Sequence, residues 1–464
     1  MQRRQVLKTS IVAVPTVLAG CGTFSENPDE ELTSASEHVQ KAAQNLETQV
    51  NGFEQIGETA SFDPQPVREE LEAASEQLDR ASEQASSKEA KNQVQALRAL
   101  IEFLEALTSA FVDLAAAQQA LNEGFTQYSS GAYQRATNSF ESGNSRLEKS
   151  DGHYRKAQSA LEDSDLSDVD IDVEKMKAKL RESSQYIDAY GVLIGGVVSF
   201  TRGMSDFDSG SSAFEDDSFG SAKASFDQAS DHFVRAHDDL SLPEDAPDGL
   251  VDPISFLKKT ATTLGELSTA MVALSKIMTS LQTVRSYLDA SRYSDAISLL
   301  QSIQNEITNA NNALDRARTA LSSIEASQSI SAIELEQTRE DLDRGESALT
   351  ALNFLVSGMI DFVEGTRAIE KGSTDAQNEQ YSKAATHFET AANDFDDAYQ
   401  DFQQGESNAP TSLKSTFVDS VCRSGAYRDG SSLYAEGYRA AADGNYDRAN
   451  KKIEEGDKAY NRCG

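Results

Sequence analysis

The chain has 464 residues, with 76 Asp and Glu against 42 Lys and Arg, no Trp and only 8 Pro. A formal charge of −34 without any Lys/Arg-rich patch excludes nucleic acid as a partner, because phosphate binding rests on such patches. Only 7% of residues are aromatic, and Ala, Ser, Glu and Gln fill most windows, which indicates helices throughout with modest cores.

The first segment places Arg3 and Arg4 ahead of a short apolar run that ends in Leu18-Ala19-Gly20-Cys21. That run, from Ile11 to Gly20, is about half the roughly 20 apolar residues a bilayer-spanning helix needs, and Pro15 breaks it. A charged start, a short apolar centre and small residues before a cleavage point read as an export signal. Arg3-Arg4-Gln5-Val6-Leu7-Lys8 resembles the twin-arginine export motif, with Val6 where that family carries Phe, so the general secretory route stays open beside it. Leu18-Ala19-Gly20-Cys21 resembles a lipobox. The resemblance implies cleavage before Cys21, a lipid on its thiol and anchoring at the extracytoplasmic face of the cell membrane. Residues 1–20 are then the signal peptide and 21–34 a polar tether. One lipid chain holds a protein only marginally, so further chains or a second contact are expected.

Cleavage removes Arg3, Arg4 and Lys8 and no acid, leaving 39 Lys and Arg against 76 Asp and Glu, a charge of −37. The acids are spread through every segment, which resembles the proteins of extreme halophiles. At molar salt the Debye length is about 3 Å, and such self-repulsion is largely screened.

Beyond the tether, Pro64 and Pro66 mark the start of a helix carrying Val67, Leu71, Ala74 and Leu78, the second half of a degenerate first hairpin at 35–90. Five clearer units follow, at 91–163, 164–240, 241–325, 326–405 and 406–464. Each has an aromatic residue, Ala three positions on, and further apolar or small residues at seven, ten and fourteen. The instances are Tyr133-Ala136-Phe140-Gly143-Leu147, Phe219-Ala222-Phe226-Ala229-Phe233, Tyr293-Ala296-Leu300-Ile303-Ile307, Tyr381-Ala384-Phe388-Ala391-Phe395 and Tyr446-Ala449-Ile453-Gly456-Tyr460. Steps of three and four put these residues on one helical face. Nine residues before the aromatic stand Gly124, Gly210, Gly372 and Gly437, with Val284 in the remaining unit. Apolar residues further upstream recur at sevens, the mark of a long helix packed along a seam. Each unit therefore reads as a long first helix, a polar turn such as SSGA or ADGN, and an amphipathic second helix. Acidic or proline-bearing stretches at 163–172, 240–253 and 405–412 separate units.

The second-helix pattern resembles the tetratricopeptide repeat, with Gly131-Ala132-Tyr133 and Gly444-Asn445-Tyr446 as its best matches. The spacing of 86, 74, 88 and 65 residues between successive aromatics departs from that family's 34, and its first-helix Trp is missing. The expected fold is all-α: tandem long helical hairpins, either a tetratricopeptide-like solenoid or a stacked bundle.

After Cys21 only Cys422 and Cys463 remain, placed nearly symmetrically about the turn before Tyr446. An antiparallel hairpin would bring them together, and outside the cytoplasm they are expected to form a disulfide. The histidines His38, His153, His232, His237 and His387 stand in no metal-ligand spacing, and nucleophile elbows, phosphate-cradling glycine loops and Cys-x-x-Cys are absent. The alternation Asp168-Val169-Asp170-Ile171-Asp172 has Val173 where a calcium loop needs Gly and Lys179 where it needs Glu, so it reads as an acidic linker. No catalytic residue, cofactor or metal is predicted. The apolar runs 192–200 and 352–362 are too short to span a bilayer and read as core. The expected role is a non-enzymatic, lipid-anchored scaffold for protein partners in high salt. The alternative is a lipoprotein that captures a solute for a membrane transporter.

Overall fold

A computed structural model describes residues 30–53, 62–164, 166, 173–242, 248–324, 335–409 and 411–463. Arg3, Arg4 and Cys21 lie outside these residues, as do Asp168, Asp170 and Asp172. Among the described residues every regular element is helical: α1 (Glu30–Phe53), α2 (Gln65–Gln84), α3 (Lys88–Ser129), α4 (Tyr133–Glu162), α5 (Val173–Glu215), α6 (Phe219–Asp239), α7 (Asp248–Asp289), α8 (Tyr293–Ser322), α9 (Leu335–Gln377), α10 (Tyr381–Asn408), α11 (Thr411–Ala442) and α12 (Tyr446–Tyr460). A 3-10 turn, Asn461–Cys463, follows. The fold is an all-α array of helical hairpins in which neighbouring helices pack on one another.

Helix α1 begins inside the span expected as tether. Leu32, Ala35, Val39, Ala42 and Leu46 form a buried stripe at helical spacing, and Glu30 and Glu31 in the first turn suit the positive end of the helix dipole. Both effects extend the helix upstream of residue 35. At α7 the helix also starts earlier than expected, at Asp248, and carries Pro253 within it.

One turn geometry closes five hairpins. The residue two before each repeat aromatic has a left-handed backbone: Gly131 (φ 74°), Asp217 (57°), Ser291 (55°), Glu379 (57°) and Gly444 (78°). The next N–H, of Ala132, Ser218, Arg292, Gln380 or Asn445, donates to the carbonyl five residues back. This is a Schellman motif ending the first helix of each hairpin. Glycine adopts the left-handed conformation without penalty, whereas a residue with Cβ pays about 1–2 kcal/mol. Asp217, Ser291 and Glu379 bear that cost.

From the turn outward, small and large residues alternate across the hairpin. A Cβ on Gly124 would stand 2.6 Å from the Phe140 ring, on Gly210 2.8 Å from Phe226, on Gly372 2.9 Å from Phe388, and on Gly437 2.9 Å from Ile453. Seven residues further out on both helices the arrangement recurs, with Gly203 under Phe233, Gly365 under Phe395 and Gly430 under Tyr460. A third rung places Gly358 under Phe402 and Gly196 under Leu240. The unit with Val284 has Leu300 instead of an aromatic seven residues beyond Tyr293, and both are buried. A missing side chain on one helix thus makes room for a ring on the other, and burial of the ring drives closure.

The chain divides into two compact units. Of the described residues, the first takes those within Met1–Ser205, Asp231–Thr262 and Ser323–Ile333, and the second those within Asp206–Ser230, Thr263–Ser322 and Glu334–Gly464. In the first, Tyr128 of α3 packs on Phe200 of α5, and Arg202 of α5 pairs with Glu141 of α4. In the second, Phe226 of α6 packs with Val272 of α7, Arg316 of α8 reaches Glu266 of α7 at 2.7 Å, and Arg318 bridges to Asp343 and Glu346 of α9. Phe362, Phe395 and Tyr427 join α9, α10 and α11.

The run 192–200 lies in α5, with Ile194, Val197, Val198 and Phe200 buried. The run 352–362 lies in α9, the one helix among the described residues long and apolar enough, by length and composition alone, to cross a membrane. Its Leu352, Leu355, Val356 and Val363 are buried, and α9 packs on α8 and α10.

Candidate functional site

Of the residues singled out in the sequence, Cys422 and Cys463 come together: a disulfide joins them, Cα to Cα 5.9 Å, across 41 positions of chain. It sits at the end of the α11/α12 hairpin opposite the Gly444 turn. Nearby, Arg428 of α11 donates to Asp396 of α10 and to Asp429, and lies over the Tyr399 ring, while Arg462 reaches Asp429 at 3.1 Å. These contacts tie the 3-10 turn and α10 to α11.

Two clusters carry electrostatic interest that the sequence did not single out. The first is on the α3/α4 hairpin. Asp113 is buried, accepts from Arg146 Nη1 at 2.8 Å, and stands 3.6 Å from His153 Nε2. His153 also lines a cleft of about 630 Å³ with Glu102, Glu105 and Ser109 of α3 and Arg155 and Lys156 of α4. Glu102, Glu105 and Asp163 on the rim stand against Arg155 and Lys156, so the cleft carries both signs of charge.

The second cluster is on the α9/α10 hairpin, where Asp361 and Glu364 meet Asp394, Asp397 and Asp401. Burial, reinforced by Asp401, Asp397, Glu364 and Asp394, pushes the Asp361 pKa up to about 7. Burial together with Glu364 and Asp397 raises Asp394 to about 6, with Arg367 opposing the shift. Asp401 is raised by burial and by Asp397. Asp361 and Asp394 therefore change charge near neutral pH, and among the described residues no three His, Cys, Asp or Glu side chains converge as a metal site.

The sequence hid both clusters for the same reason. With 76 acids available, no spacing distinguishes Asp113 or Asp361 from the solvated majority. One signal was present for the first: Arg146, Lys149, His153 and Lys156 recur at three and four along α4, an unusual basic stripe in so acidic a chain. Comparison with family models, curated proteins and solved structures gives no match to this chain.

Proposed function

We propose that this chain is a lipid-anchored, extracytoplasmic array of helical hairpins, tetratricopeptide-like in its second helices, that acts as a non-enzymatic scaffold for protein partners in a high-salt environment. The observation that carries the reading is the Cys422–Cys463 disulfide, which belongs with an oxidising compartment and so with the export signal ending at Cys21. Within each compact unit neighbouring helices pack on one another, and tandem helical hairpins of this kind offer extended surfaces to partners, which supports the scaffold role. The test is cross-linking on intact cells in molar salt, followed by detergent extraction and mass spectrometry. Recovery of defined protein neighbours, together with a lipid-modified Cys21 peptide, is the expected outcome. An unmodified Cys21 with no cross-linked neighbour would overturn the reading.

A second reading, capture of a small solute for a transporter, draws on the α3/α4 cleft with its mixed charges. Calorimetric titration of zwitterionic solutes at high salt separates the two. Saturable binding that His153→Ala weakens tenfold or more would favour capture.

A further inference from the structure

The last hairpin is fastened differently from those before it. Helix α12 has 15 residues, close to the length at which an isolated helix is marginal in water, and buries only Ala449 and Gly456 fully. Beyond these, the partly buried Tyr460 ring packs on Tyr427 and Tyr434 of α11, with centroids 5.1 and 5.4 Å apart, and the remaining ties to α11 are polar. The Ser431 and Tyr460 hydroxyls lie 2.7 Å apart, Tyr434 donates to Asp457, and Lys452 reaches Glu436 at 3.0 Å. Exposed ion pairs of the last kind contribute little. The disulfide closes the open end of this pair, and Cys422 is exposed to solvent.

We propose that Cys422–Cys463 is a redox-operated clasp: a dithiol that reduces it releases α12 from α11 and uncovers the α11 face at Gly430, Ser431 and Gly437. A thiolate of the dithiol attacks the accessible Cys422 Sγ, the protein S–S bond breaks, and Cys463 leaves as a thiolate that takes up a proton. The second thiol of the reductant then displaces Cys422 from the mixed disulfide. The reductant departs as an internal disulfide, having given up two electrons and two protons, and both cysteines end as thiols. Opening empties the seats that the Tyr460 ring occupies on Gly430 and that Ile453 occupies on Gly437.

The test is hydrogen exchange read by mass spectrometry on the full, detergent-solubilised chain in molar salt. Three samples are compared: oxidised, treated with dithiothreitol, and Cys463→Ser, with free thiols counted by alkylation. The clasp predicts that protection over 446–463 falls on the order of a hundredfold or more in the second and third samples, the scale set by releasing a loop of this length. Protection over α9 and α10 should change less than about threefold. Unchanged protection of α12 in either opened sample overturns the proposal. So does a loss shared equally by α9, α10 and α11, and so does a bond that resists dithiothreitol while the chain is folded.

Discussion

The α9/α10 and α11/α12 hairpins share the same left-handed turn and the same seven-residue rungs, yet they are held closed by different means. Helix α10 buries Phe388, Phe395 and Phe402 on three glycines of α9, with five alanines filling the spaces between. Helix α12 offers Ile453 and Tyr460 on two glycines of α11, and the register continues only as far as a covalent bond. Burial suffices where rings are many and the helix long. A crosslink serves where the helix is short and its face polar, as in small domains that cannot build enough core.

The largest expected effect comes from removing a ring in the burial-held hairpin. Phe395→Ala leaves a cavity over Gly365 and should cost about 3–5 kcal/mol, read from the midpoint of denaturant unfolding in molar salt. A cost below 1 kcal/mol would mean the seam does not carry α10.

Filling a glycine seat probes how stiff each seam is. Gly372→Ala places a methyl 2.9 Å from the buried Phe388 ring and should cost about 1–3 kcal/mol. Gly456→Ala places one 2.7 Å from the Tyr434 ring, which is held by its bond to Asp457, and 3.2 Å from the Gly430 carbonyl oxygen, so it too should cost about 1–3 kcal/mol, here by loosening α12 from α11. A cost under about 0.5 kcal/mol for either variant in parallel melts would mean that its seam is not tightly packed.

The carboxyl cluster separates the hairpins by pH. Asp361 has a folded pKa of about 7 against 3.8 for the ordinary group, so between those values the folded state holds the extra proton. Stability from this site is therefore full below about pH 4 and declines as pH rises through 7. Asp361→Asn should remove its share of that decline, leaving the smaller part that Asp394 contributes, and stabilise α9/α10 at pH 8 by on the order of 1 kcal/mol, after allowance for solvent screening of a half-exposed group. Melting followed at pH 5 and pH 8 in low salt checks it. A variant that keeps the full slope would assign the pH dependence elsewhere.

The smallest effect lies at the shared turns. Glu379→Gly relieves a left-handed residue with Cβ and should raise stability by about 0.5–1 kcal/mol, whereas Gly444→Ala should lower it by about 1 kcal/mol. Thermal melts of the two variants should move in opposite directions.

Much of this architecture was readable from spacing. The aromatic-to-alanine face predicted α4, α6, α8, α10 and α12 from their first residue, because each begins at the repeat aromatic directly after the turn. The glycine nine residues upstream was visible too, though its role as a seat for the residue seven downstream needed the antiparallel register. The rungs at Gly203, Gly365 and Gly430 obey the same rule, one heptad further out. The left-handed Asp217, Ser291 and Glu379 could not be read, since nothing in those residue types requires that backbone. Helix α1 starts upstream of the expected residue 35 because a polar composition masks a stripe as sparse as Leu32, Ala35 and Val39.

The tip geometry also explains how units of such unequal length coexist. Because each hairpin is indexed from its own turn, adding seven residues to both arms appends one more rung at the far end and leaves every existing contact in place. The module is thus telescopic: what repeats is an origin and a step, not a length. The α9/α10 hairpin, with arms of 43 and 28 residues, and the α11/α12 hairpin, with arms of 32 and 15, are the same device extended to different reach.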